Sequence, residues 1–152
     1  MAYATGRHMA ADVLSHAFTA DHVAALVHAV YAGRVRFHAG DAALAPGLSV
    51  HHVGGHTDGL QVVRVQTERG WLVLASDATH YYENLEAQRP FPVVFDVGAM
   101  VQGFGRLREL ASSADAIVPG HDPLVLERYP PAAEGLDGIA VRLDQGRRPG
   151  AP

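Results

Sequence analysis

Two rhythms of apolar residues run along this chain, and the change between them marks out its elements. Val23, Leu26, Val27, Val30 and Tyr31 recur at helical spacing. That predicts a helix over 19–31, with Thr19 or Asp21 at its start and Gly33 at its end. Arg34 to His38 alternates and predicts a short strand. Residues 42–45 and 48–53 then read as two strands joined by the Pro46-Gly47 turn. Residues 60–67 alternate, Glu68-Arg69-Gly70 turns, and Trp71-Leu72-Val73-Leu74-Ala75 is an unbroken apolar run, which predicts a strand buried on both faces. Residues 1–18 show neither rhythm.

Beyond Asp77 the helical period returns. Residues 80–88 form a short helical stretch broken by Arg89-Pro90-Phe91-Pro92. Val97, Met100, Val101, Phe104, Leu107 and Ala111 make a stripe that predicts a helix over 97–111. Ala116 to Val118 reads as a strand, 122–129 as a helix halted by Pro130-Pro131, and 139–143 as a final strand. Strands come first and α/β alternation follows. The fold class expected is α+β, a mixed sheet with helices on one side. One domain spans 1–145, and the Pro/Gly-rich residues 146–152 form a loose tail.

Composition narrows the chemistry. The chain has 152 residues, 48% of them apolar, enough to bury a core. A net charge of −4 and the absence of a basic cluster before Arg147-Arg148 argue against nucleic acid or an anionic membrane as partner. No apolar run approaches a membrane span and no signal segment is visible, so the expected location is cytoplasmic. There is no cysteine. A metal would therefore rest on His, Asp or Glu, and ten histidines are available.

His56, Asp77 and His121 each follow a predicted strand, and Gly55 and Gly120 directly precede the two histidines. Strand ends of one sheet gather on a common rim. Two imidazoles and a carboxylate suit Zn²⁺, with Fe²⁺ or Mn²⁺ less preferred. Thr57 and Asp122 stand where outer hydrogen-bond partners would. The competing reading makes Asp77 and Asp122 helix caps and the histidines turn residues. His51 and His52 are strand neighbours facing opposite sides, read as part of an exposed strand pair. His22 and His28, six apart, are read as surface residues on the first helix.

Three segments in order, Gly54-Gly55-His56-Thr57, Leu74-Ala75-Ser76-Asp77 and Val118-Pro119-Gly120-His121-Asp122, resemble the second half of the metallo-β-lactamase-fold hydrolases. Within that superfamily the chain is most similar to the N-acyl homoserine lactonase group, from about residue 1 to Tyr129. The resemblance implies an αββα sandwich with two metals, usually zinc, at the edge between its sheets. It implies that His56 is the third histidine of the first metal, Asp77 the carboxylate bridging both, and His121 the last histidine of the second. A metal-bound water then attacks a lactone or ester carbonyl, and the biological role implied is quorum quenching.

The chain departs from that pattern in three places. The family's His-x-His-x-Asp-His string does not occur ahead of His56, so four of seven expected ligands are absent. Asp58 stands in the place of a common proline. His80, followed by Tyr81 and Tyr82, stands where these lactonases often carry a substrate-orienting tyrosine, a role that passes to His80 or Tyr81. The resemblance thus implies a truncated chain that opens in mid-domain. It implies at most one weakly held zinc, impaired hydrolysis, and a sheet face left uncovered through which two copies pair. The alternative is a non-catalytic remnant or interaction module keeping half of the fold.

Overall fold

A computed structural model describes residues 1–152. One mixed sheet holds five strands in sequential order: β1 (Ala42–Ala45), β2 (Leu48–His52), β3 (Gln61–Thr67), β4 (Gly70–Ser76) and β5 (Ile117–Pro119). Neighbours from β1 to β4 pair antiparallel, and β4 pairs β5 in parallel. It follows that β2, β4 and β5 run the same way, and the loops leaving them lie on one rim.

Five helices accompany the sheet: α1 (Asp12–Ser15), α2 (Ala20–Tyr31), α3 (Tyr82–Glu86), α4 (Val97–Leu110) and α5 (Leu124–Arg128). The predicted stripe of α4 is its buried face. Met100, Phe104, Leu107 and Leu110 pack with Val62, Val73, Ala75 and Ile117, side chains that share one side of the sheet. Each of these side chains larger than alanine contributes about 1.5–3 kcal/mol of burial. Asp96 starts α4 by accepting the N–H of Ala99 at 2.8 Å.

The opposite side of the sheet is less covered. At its β4–β5 end Leu72, Ala116 and Val118 are buried, with Val125 of α5 and Leu143 against them. Toward β2 the register pairs Leu48 with Val65 and Val50 with Val63. All four remain half-buried.

The N-terminal segment is held by aromatic contacts. Tyr3 is buried against His8, Phe18 and Phe95, with ring centroids 5.2, 5.6 and 5.1 Å away. The amphipathic α2 buries none of its residues fully. No helix is long and apolar enough to cross a membrane. Residues 146–152 hydrogen-bond to α5 and its exit. Arg148 donates its N–H to Arg128 O at 2.7 Å and its Nε to Tyr129 O at 2.8 Å, and Arg128 Nε donates to Pro152 O at 2.6 Å.

Two predicted strands do not form. Residues 34–38 find no neighbouring strand, and Phe37 lies 60% exposed. Residues 139–143 make only an isolated bridge between Val141 and Pro131. Proline has no N–H to extend that ladder.

Candidate metal centre

The loop after β2 is fixed by Gly55. Its φ of +84° is a left-handed conformation, and a Cβ there would lie 2.7 Å from Met100 Cα. Glycine lets this loop sit directly on the first turn of α4, where Gly55 O accepts the N–H groups of Phe95 and Asp96, both at 2.9 Å. His56 follows, with Nδ1 2.8 Å from Val93 O. A carbonyl only accepts, so Nδ1 carries a proton, and in the neutral ring Nε2 is the nitrogen with the lone pair.

The loops after β4 and β5 are tied to each other. Gly120 N–H donates to Thr79 O at 3.1 Å, and His121 N–H donates to His80 O at 3.0 Å. A Cβ on Gly120 would stand 2.7 Å from Ser76 O, so only glycine lets the two strand ends close up. As a result His121 Nε2 lies 2.8 Å from Asp77 Oδ1, although the two residues are 44 apart in sequence. Ser76 Oγ donates to Asp77 Oδ2 at 3.1 Å. Burial works to raise the Asp77 carboxyl, but the hydrogen bonds from His121 and Ser76 outweigh it and hold the group below its ordinary value. Asp77 therefore stays a carboxylate. It does not cap α3, which begins at Tyr82 with Tyr81 as its N-cap.

His80 joins these two. Its Nε2 is 3.3 Å from Asp77 Oδ1, and its ring stacks on Phe91 at 3.5 Å and 14°. The His80–Asp77 contact is close but poorly aligned for a hydrogen bond, and Nε2 is buried without a satisfying partner. Burial, with His121 adjacent, pushes the His80 imidazole below its ordinary value, so it is neutral at pH 7. One donor atom each from Asp77, His80 and His121 lies within 4.8 Å of the others, an arrangement able to hold a metal ion. Two imidazoles and a carboxylate, with the His80 nitrogen buried and poorly paired, fit a divalent cation of the zinc type.

The other expected residues are placed as follows. His56 flanks the group, its ring 5.9 Å from that of His80, but it is not one of the three clustered donors. Tyr81 is 47% exposed, with its ring edge-on to His80 at 6.4 Å. Asp122 commits both oxygens to backbone N–H groups, those of Tyr82 and Leu124, each at 2.9 Å. Thr57 is half-buried, and its carbonyl accepts the N–H of Leu60. The grouping of His80 with Asp77 and His121 was not read from the sequence. Its only local signal is the Asp77-x-x-His80 spacing directly after a strand.

A second polar cluster lies on the α4 side of the sheet. His51 Nδ1 is 2.8 Å from Asp41 Oδ2 and its Nε2 is 2.9 Å from Ser49 Oγ, while Arg106 of α4 reaches the same Asp41 oxygen at 2.6 Å. His51 is buried and His52 exposed, as neighbours on opposite faces must be.

No family model matches the chain. An N-acyl homoserine lactonase from Bacillus sp is 36% identical over 85 residues, covering 55% of this chain and 34% of the relative. One from Bacillus cereus is 35% identical over the same share. A solved N-acyl homoserine lactone hydrolase, with the product N-hexanoyl-L-homoserine bound at its catalytic metal centre, superposes with a TM-score of 0.52 at 31% identity. It covers 57% of this chain and 35% of that one. The chain is similar to the N-acyl homoserine lactonases. Its mixed sheet and helices match the metallo-β-lactamase fold of those lactonases. A probable metal-dependent hydrolase from Staphylococcus aureus, 15% identical with a TM-score of 0.53, shares the fold. The chain spans about a third of the length of the lactonases it matches, 34% for the Bacillus sp relative.

Proposed function

We propose that this chain carries the metal-holding rim of a zinc-dependent lactone or ester hydrolase. The observation that carries the reading is the contact of Asp77 with His121 at 2.8 Å. It is made by two loops that Gly120 lets close together, in a chain similar to lactonases. A zinc ion there would polarise a carbonyl and acidify a water.

The residues of the chain prepare that chemistry. Asp77 is kept ionised and offers Oδ1 toward the cluster. Val93 O fixes the His56 tautomer and turns the basic nitrogen away from the carbonyl. His121 is 55% exposed, so a small acylated lactone reaches the rim from solvent without a lid. With the cluster open on that side, turnover by the chain alone is slow.

The test is opening of N-hexanoyl-L-homoserine lactone by the purified, zinc-loaded chain, followed by proton release. Slow zinc-dependent turnover is expected in the wild type and none in Asp77→Ala. A wild-type rate no higher than that of Asp77→Ala, or one that survives a chelator, overturns the proposal.

A further inference from the structure

We propose that His80 is itself a metal ligand, and that Asp77, His80 and His121 bind a single divalent cation as a two-histidine, one-carboxylate site. This deepens the metal-dependent reading above but does not depend on a lactone being the substrate. In the resemblance drawn from sequence, position 80 belongs to a residue that orients substrate. The structure puts a different chemistry there.

Three observations converge. First, His80 Nε2 is buried, and its nearest polar neighbour, Asp77 Oδ1 at 3.3 Å, is too poorly aligned to satisfy it. An imidazole nitrogen left without a well-aligned partner in the interior is costly unless something completes it. A cation does so with the lone pair that a hydrogen bond would otherwise use. Second, the ring is not free to turn toward a substrate. It is stacked on Phe91 at 3.5 Å, and its backbone carbonyl is held by the N–H of His121. This is the rigid presentation a ligand needs.

Third, the spacing fits. Ligands about 2.0–2.1 Å from a tetrahedral zinc lie roughly 3.3 Å from one another. Asp77 Oδ1 is 3.3 Å from His80 Nε2 and 2.8 Å from His121 Nε2. Of these two distances only the second must widen, by about half an ångström, to admit an ion, and the two imidazole donors lie within 4.8 Å of each other. His56 lies outside the group, so the site is complete within two loops and leaves coordination positions open to solvent.

The experiment titrates Co²⁺ into metal-free protein and follows the visible absorption, with Zn²⁺ competition giving affinity. One equivalent is expected. His80→Phe, which keeps a ring against Phe91, should lower affinity by more than the roughly 10–100-fold that losing an outer partner costs. It should also change the absorption spectrum, while His22→Phe, at an exposed position of α2, leaves both unchanged. Circular dichroism confirms that each variant is folded. Proton NMR of the wild-type Co²⁺ protein gives a check that needs no variant. Two exchangeable imidazole N–H signals with large metal-induced shifts are expected, from His80 and His121. One signal, or unaltered binding in folded His80→Phe, overturns the proposal. A chain that binds one cobalt through His80 yet opens no lactone removes the hydrolase reading and leaves this one intact.

Discussion

Replacing Gly55 by alanine tests how the first histidine loop is held. The new methyl runs into three atoms of Met100, at 2.7 Å from Cα, 2.8 Å from N and 2.9 Å from Cβ. Met100 is 1% exposed and belongs to the main core, so it cannot move aside cheaply. The left-handed backbone at φ +84° adds about 1–2 kcal/mol for any residue with a Cβ. Overpacking a close-fitted site adds about 1–3 kcal/mol. The sum, about 2–5 kcal/mol, is a large part of the roughly 5–15 kcal/mol that stabilises an ordinary domain. In a chain of this length each kcal/mol lowers the melting temperature by about 2–4 °C. Thermal unfolding followed by circular dichroism should therefore show a fall of about 4–20 °C. Gly59→Ala is the control: it lies in the same loop, and its new methyl would meet no heavy atom within 4 Å. It should stay within about 0.5 kcal/mol of wild type. If Gly55→Ala melts with that control, the loop is not seated on α4 and the placement of His56 fails with it.

Three further outcomes follow from the packing. The hydrogen bond from His51, helped by the charges of His51 and Arg106 and by the His52 N–H, holds the Asp41 carboxyl below its ordinary value of 3.8 despite some desolvation. A depressed carboxyl pKa stabilises the fold above the ordinary value, and that benefit is lost as pH falls through the folded value. Asp41→Asn should thus lower the urea midpoint near neutral pH and match wild type near about pH 2, whereas an equal gap at both refutes the assignment. Phe104→Ala, at a fully buried position of α4, should cost about 3–5 kcal/mol in the same urea assay, and a loss under about 1 kcal/mol would contradict the core described. The homodimer expected from the sequence would use the half-buried Leu48, Val50, Val63 and Val65, so sedimentation should show wild-type dimers that Val63→Thr with Val65→Thr converts to monomers, while a monomeric wild type excludes it.

The strands that could be read in the sequence are those that find partners. Residues 61–67 and 70–76 combine the expected alternation and apolar run with a tight connection, and they pair in register from Val63–Leu74 to Thr67–Gly70. Residues 34–38 alternate equally well, but alternation describes one strand and a sheet needs two. The helix at 97–110 was legible because its stripe persists through Gly103 and Gly105. Gly103 marks a close approach, since a Cβ there would lie 2.7 Å from Val53. At the site, the contact between Asp77 and His121 followed from strand ends sharing a rim. The placement of His80 beside them did not, because it arises from two loops hydrogen-bonding across 41 residues, His80 to His121. The Asp41–His51 pair was also missed, although the hairpin register carries it: Ala42 opposite Val50 sets the residue before β1 across from His51.

The common direction of β2, β4 and β5 has a practical consequence for handling the molecule. The turns at Pro46-Gly47 and at Glu68-Arg69 open β2 and β4, and so lie on the edge of the sheet farthest from His56, Asp77 and His121. Arg69 is already engaged with the carbonyls of Leu143 and Gln145. Pro46 is exposed and makes no such bond. A fluorophore or surface tether attached there would leave the histidine rim facing outward, so an immobilised chain could be loaded with metal ions and washed free of them without the attachment shielding the centre.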